Sequence, residues 1–236
     1  MKIWLVALTL VLTVAKGQVS NFESLIVEGE SRWNNNALDP ILCDADEEEC
    51  MLYHINNITM VTRTQWFAQP SKEHAQYMRM PVSHVFIHHT VMNECFSRRE
   101  CAIEMRKIQQ FHQVKKRWAD IGYNFVIGQD GGLYIGRGWD RVGAHTAGWN
   151  NVSISFAFTG NFNETLPTDE ALNALEAALI VGVKLGKLTP DFKLHGHRDA
   201  RPTKSPGQKL YDLIRRHKHY EPIRPKLIMF VPKSHA

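Results

Sequence analysis

No apolar run in this 236-residue chain reaches the roughly 20 residues that a membrane-spanning helix needs. The apolar stretch 3–14 follows Lys2 and leads to the small residues Ala15 and Gly17. That is the pattern of an export signal over residues 1–17, with Gln18 opening the mature chain. Internal repeats and low-complexity tracts are also lacking, and so is a strong charge of one sign. The net charge of +4 is mild and spread along the chain, so it gives no basis for a nucleic-acid partner. Cysteines are few, four in all, and fall into two close pairs, Cys43 with Cys50 and Cys95 with Cys101. Three connectivities are open to four cysteines; the two local pairings, each closing a short polar loop, are favoured in an exported protein. Three N-x-S/T triplets, at Asn57, Asn151 and Asn163, are candidate glycosylation sites in the same secreted, extracellular setting.

With 44% hydrophobic and 22% charged residues, the chain has apolar material for one substantial core. Residues 18–58 are rich in Asp, Glu and Asn, with a dense acidic run at 44–49, and read as an acidic, loosely attached extension. A domain over 59–221 and a short tail over 222–236 complete the expected organisation. Within the domain, residues 82–88 read as a buried strand. Residues 101–117 read as an amphipathic helix through Ile103, Met105, Ile108, Phe111 and Val114. Residues 123–127 and 133–135 flank the Asp130-Gly131 turn signal of a hairpin. Residues 153–159 alternate as a further strand. Thr168 caps a helix over 171–185 that Gly186 ends, residues 192–195 form a short strand, and a last helix starts near Pro206 and runs to 216. The class is α/β, a central mixed β-sheet flanked by helices.

Two histidines stand where strands end and loops gather: His88 after the 82–88 strand and His197 after the last one. Imidazole is a common zinc ligand, and a catalytic zinc uses three protein ligands plus a water. The surrounding text is more specific. Five blocks carry it: Phe86-Ile87-His88-His89-Thr90, Asp120-Ile121-Gly122-Tyr123-Asn124-Phe125, Gly136-Arg137-Gly138-Trp139, Gly143-Ala144-His145-Thr146 and Gly196-His197-Arg198-Asp199. In this order, and with the six-residue Cys95 to Cys101 spacing, they resemble the peptidoglycan recognition proteins over about residues 59–220. The chain is similar, at greater distance, to bacteriophage amidases that cut the bond between muramic acid and L-alanine.

The resemblance implies an amidase-like fold with a polar cleft for bacterial peptidoglycan and muropeptides. In amidase members the positions of His88, His197 and a Cys eight residues later hold zinc; here the third is Ser205, inside Thr203-Lys204-Ser205-Pro206-Gly207. Tyr123 matches the family's catalytic tyrosine and Thr203 a residue near the scissile carbonyl. A serine hydroxyl stays neutral where a cysteine binds as thiolate, so the set is weak and easily emptied. Without zinc there is no polarised carbonyl and no water brought to a pKa of about 7. Binding without hydrolysis is therefore expected, with no catalytic residue and no cofactor. A serine nucleophile served by His197 lacks an assigned acidic orienter and oxyanion donor.

Other positions carried over as ligand contacts are Thr90, His112, His145 and Asn150. Arg137 corresponds to a residue associated in the family with stems carrying meso-diaminopimelic acid, whose extra carboxylate a guanidinium can pair. Arg117 and Trp118 stand at a pair that tracks stem preference, commonly Gly-Trp for the diaminopimelic type; the Trp agrees and the Arg departs. The resemblance thus implies a secreted pattern-recognition receptor of innate immunity that passes its signal to host immune signalling proteins. The alternatives are a zinc amidase with residual activity, or an interaction protein with a vestigial cleft.

Overall fold

The computed structural model describes residue 56, residues 58–73 and residues 75–223. The expected export signal, the acidic run, Cys43, Cys50, Asn57 and most of the C-terminal tail lie outside the described residues. Six strands form one sheet: β1 (Thr59–Val61), β2 (Val82–His89), β3 (Phe125–Ile127), β4 (Gly132–Ile135), β5 (Ser153–Phe158) and β6 (Leu188–Gly196), in the order β1-β4-β3-β5-β2-β6. β3 and β4 are antiparallel; all other neighbours are parallel. The hairpin turn is made as its sequence predicts, with Gly131 at φ 75° and the Asp130 carboxylate accepting from the Gly132 N–H at 3.0 Å. Parallel strands need long crossovers, and two of these carry helices, α1 (Arg98–Gln110) between β2 and β3 and α2 (Asp169–Lys184) between β5 and β6, each passing over one intervening strand. Two short helices follow the last strand, α3 (His197–Ala200) and α4 (Gln208–Ile214).

Strand alternation divides the sheet into two unlike faces. Val85 and Ile87 of β2, Ile154, Phe156 and Phe158 of β5 and Leu194 of β6 pack with Ala171, Leu175, Ala178 and Leu179 of α2 and with Leu210 and Ile214 of α4. On the other face Val61, Val126, Tyr134 and Ala157 meet Cys101, Ala102, Met105 and Ile108 of α1, along with Trp66. This second face turns polar towards β2 and β6. There His84, Phe86 and His88 stand in register with Ser153, Ser155 and Ala157, and Phe86 with His195. Trp149 packs against His84 and Phe86, and His88 stands beyond them near the carboxyl end of β2.

Several boundaries differ from those the sequence predicts. The helix expected at 101–117 begins earlier, at Arg98, where the Ser97 hydroxyl accepts from the Glu100 N–H, and passes into a π-helical turn, Phe111–Lys115. Its buried side matches the predicted stripe only in part: Met105 and Ile108 are buried, but Ile103, Phe111 and Val114 are exposed, while Glu104, Gln109, His112 and Gln113 are buried. The polar residues win because each finds partners. The Gln109 amide donates to Asp120 at 2.7 Å and to the Gln69 carbonyl, and the Gln113 amide donates to the Pro70 and Ala119 carbonyls. A π turn adds a residue to the repeat, which re-aims the side chains after Gln110. β6 extends from 188 rather than 192, α4 is confined to 208–214, and β1 is not among the elements the pattern marks. Thr168 caps α2 as expected, its hydroxyl accepting from the Ala171 N–H at 3.2 Å. Cys95 and Cys101 are disulfide-bonded. No helix among the described residues is long and apolar enough to cross a membrane.

Candidate functional site

Three chain segments meet at the carboxyl ends of β2 and β6. β2 delivers His88, almost fully buried, facing the half of the sheet that α1 leaves uncovered. β6 runs directly into α3, whose first residue is His197, and the two imidazoles lie 4.3 Å apart between ring centroids. The third segment is the loop between α3 and α4. Its Ser205 is buried, its hydroxyl accepts the His89 N–H at 3.2 Å, and its carbonyl accepts the Arg198 N–H at 2.9 Å. The Arg198 guanidinium holds the loop further, donating to the Lys204 carbonyl and to Gln208.

A chain of rings leads away from this corner. Tyr123 lies 5.4 Å from His88 and 5.5 Å from His112, and His112 lies 4.7 Å from Trp118. His145 stands edge-on to His88 at 5.5 Å. Burial pushes the Tyr123 hydroxyl up to about 12, so it is a neutral donor at any physiological pH. The imidazoles move the other way. Burial, followed by the positive charges of Arg137 and Lys116, brings His112 down to about 4; burial, with His197 and Arg137 adding, brings His145 to about 3. Burial and then Arg201 lower His197 to about 4, and burial followed by His197 holds His88 well below the ordinary range. The site is thus a set of uncharged imidazoles and hydroxyls, suited to the hydroxyls and amides of a neutral ligand backbone. His145 Nε2 is buried with no hydrogen-bond partner among the described residues.

Each residue singled out by sequence has a definite place. His88, His112, Trp118, Tyr123, His145 and His197 are brought together by the ring contacts above. Thr203 stands at the same loop, but its hydroxyl is engaged in accepting the Ser205 N–H. Thr90 is likewise a local clamp, its hydroxyl accepting from Met92 and Gly160, and the Asn150 side-chain oxygen accepts from the His145 and Thr146 N–H groups. Arg137 is half-buried, with Nε donating to the Ile121 carbonyl and Nη1 to the Val142 carbonyl, both at 2.7 Å. Arg117 is exposed, with its backbone at φ 58°. Asn151 is exposed. The Asn163 side chain donates to Asn161 and accepts from the Gln208 N–H.

Sequence reasoning missed Thr146 and Asn124. The fully buried Thr146 hydroxyl joins His88 Nε2 at 3.3 Å to His145 Nδ1 at 3.0 Å, fixing both rings. The Asn124 side chain accepts from Ser155 and donates to the Gly138 and Arg141 carbonyls, tying the Arg137 turn to β5. Both residues lie inside the quoted blocks, yet only a three-dimensional partner list reveals their task.

Zinc of the amidase kind can be tested against this donor set. His88 and His197 supply two neutral imidazoles, but the third corner is a neutral hydroxyl whose oxygen already accepts the His89 N–H. No thiolate, carboxylate or third imidazole among the described residues is grouped with them to complete three ligands, so the residues present do not fit a catalytic zinc.

Comparison with known proteins agrees with this architecture. Residues 78–208 match the family model described as N-acetylmuramoyl-L-alanine amidase. Over 161 residues the chain is 43% identical to the N-acetylmuramoyl-L-alanine amidase of Mus musculus, a match covering 67% of this chain but only 30% of that relative's length. It is 39% identical over 163 residues to peptidoglycan recognition protein 1 of Bos indicus, covering 69% of this chain and 85% of the relative. Among solved structures, peptidoglycan recognition protein LE in complex with tracheal cytotoxin, a monomeric diaminopimelic acid-type peptidoglycan, superposes with a TM-score of 0.69 at 38% identity. That match covers 70% of this chain and 97% of the other.

Proposed function

The chain belongs to the peptidoglycan recognition protein family, and on that premise we propose that it binds fragments of bacterial peptidoglycan in the His88 cleft and leaves them uncut. The observation that carries the second half is Ser205. It stands at the position where the resemblance puts a zinc-binding Cys, and its neutral hydroxyl is already spent on the N–H of His89, the neighbour of His88. Without a metal-activated water, the remaining groups offer recognition: neutral imidazoles and the Tyr123 hydroxyl for amides and sugar hydroxyls, and the Trp118 ring for apolar faces.

The stem type we propose is the one carrying meso-diaminopimelic acid. Support comes from Arg137, whose guanidinium is fixed by two carbonyls and keeps further N–H groups for a carboxylate. A second support is the relative solved with tracheal cytotoxin. The domain over 59–221 then serves as a secreted receptor that hands its signal to host immune proteins, with glycans at Asn151 and Asn163.

Titration with defined stem peptides of the lysine and diaminopimelic types, with metal content recorded alongside, tests the reading. Saturable binding, tighter for the diaminopimelic type, with every muropeptide amide intact after incubation, is the expected result. Stoichiometric zinc together with chelator-sensitive loss of the muramoyl-alanine bond would overturn it.

A further inference from the structure

The positive charge of this chain is concentrated in space. Between Arg98 and Arg117 the chain carries seven Lys and Arg against two Glu, a larger excess than the +4 of the whole sequence. One of those Glu, Glu104, is buried and paired with Lys107 at 2.7 Å. Among the described residues Arg98, Arg99, Lys115, Lys116 and Arg117 are in no ion pair, and all five are exposed. The helix on the opposite face of the sheet has the reverse balance: α2 sets Asp169, Glu170 and Glu176 against Lys184.

Apolar side chains stand among these cations. Ile103, Phe111 and Val114 are exposed, and so is Phe67, at 70%. Arg99, Ile103 and Lys107 follow one another at four-residue steps on the outer side of α1. Two cation–ring contacts knit the patch, the Arg106 guanidinium 5.7 Å from the Phe67 ring and Lys116 Nζ 5.6 Å from the Phe111 ring. Phe67 is held outward at φ 60°, a conformation costly for a bulky residue. Its neighbour Trp66 anchors that turn, fully buried and with its indole N–H donating to the Ile135 carbonyl at 2.8 Å.

We propose that this face docks on an anionic lipid bilayer, with the cations against the headgroups and Phe67, Ile103, Phe111 and Val114 at the boundary with the acyl chains. Charge complementarity selects an anionic partner. A soluble polyanion would engage the cations alone, whereas the phenyl and aliphatic groups between them find burial in lipid. Each cation near such a surface strengthens binding about fivefold, and the acidic α2 on the far face is repelled, which sets the orientation. Attachment of this kind is peripheral, and no helix among the described residues is long and apolar enough to span. The same π turn carries His112, whose ring meets Trp118 at the cleft, so the docked face borders the cleft and brings it to ligands held at that surface. This inference is independent of what the cleft binds.

Co-sedimentation of the full chain with phosphatidylcholine vesicles, pure or mixed with phosphatidylglycerol, reads the contact. Binding at least about tenfold tighter to the anionic vesicles at low salt, and weaker as salt is raised, is expected. Arg99→Gln with Lys115→Gln should lose about 25-fold, while Lys209→Gln with Lys218→Gln, at and beyond α4 on the other face of the sheet, should lose less than about fivefold. Phe67→Ser with Phe111→Ser should weaken vesicle binding about tenfold and leave binding of soluble poly-L-glutamate unchanged. Equal binding to both kinds of vesicle, as attachment through the apolar stretch 3–14 would give, overturns the proposal. Equal losses from the two charge neutralisations do so too. A double Ser variant that binds vesicles like the parent would assign the cations to a soluble polyanion and sink the membrane reading.

Discussion

Replacing Ser205 by Cys tests the ligand geometry at its weakest corner. The hydroxyl sits 3.2 Å from the His89 nitrogen in a loop fixed by the Arg198 and Thr203 hydrogen bonds, so a thiolate in its place is held next to His88 and His197. Loss of an outer-shell partner alone costs 10–100-fold in metal affinity, so gaining a direct ligand should raise zinc affinity by at least about 100-fold. The pH dependence makes the test sharper. Both imidazoles are already neutral at pH 7, His197 with a pKa brought down to about 4 by burial and Arg201, so they release no proton on binding metal. Only the new thiol, with a free pKa of about 8.5, must deprotonate; the variant's apparent affinity should therefore climb about tenfold per pH unit between about 6 and 8, while the parent's stays flat. Competition against a chromophoric chelator at several pH values measures both. An affinity within about threefold of the parent, or the absence of a pH slope, would refute the assignment of His88, His197 and position 205 to one corner.

Acid should destabilise the fold well before its carboxylates titrate. His112, His145 and His197 have folded pKa values below the ordinary 6.5, so the unfolded chain binds more protons, and stability present above about pH 6.5 is lost as pH falls towards about 4. His112 alone contributes up to about 3 kcal/mol of that loss, and urea midpoints at pH 7 and pH 5 that coincide would contradict it. Thr146→Val keeps the shape but strips the hydroxyl between His88 and His145, so a loss of about 1–3 kcal/mol in chemical denaturation is expected, with muropeptide affinity falling alongside. Arg137→Thr should weaken a diaminopimelic stem more than about tenfold while changing a lysine stem less than about threefold by calorimetry. Equal losses for both stems would mean that Arg137 acts only through its bonds to the Ile121 and Val142 carbonyls.

The sheet was readable where burial and periodicity coincide. β5 sets Ile154, Phe156 and Phe158 against Ser153, Ser155 and Ala157 in alternation, β2 is dense in β-branched and aromatic residues, and the Asp130-Gly131 pair suits a tight turn. α1 was legible as a helix and, through Met105 and Ile108, partly in orientation; the rest of its buried side was not, because hydrophobicity gives no weight to a glutamine that finds three partners. Gln109 and Gln113 are buried only because the 69–70 loop and the 119–120 turn bring carbonyls and the Asp120 carboxylate to them, and those contacts span up to 43 residues of sequence. For the site, the sequence could name His88, His197 and Ser205 from their blocks, since each block brings its residue to a strand end or the adjoining loop. It could not name Thr146 as the link between two rings, because that role depends on the pairing of β2 with β5 and on the loop that precedes β5.

That link also bears on how the corner around His88 keeps its shape. Buried polar groups left unpaired cost about 1–3 kcal/mol each. Here the cost is met locally. His88 Nε2 is engaged by Thr146, Thr146 by His145, and the Ser205 oxygen by the His89 N–H. The His88 and His197 rings pack face to tilted face at 4.3 Å, which two neutral imidazoles tolerate and two charged ones would not. Hydrogen bonds and desolvated rings thus hold this part of the cleft wall in one geometry, so a ligand meets a preformed surface.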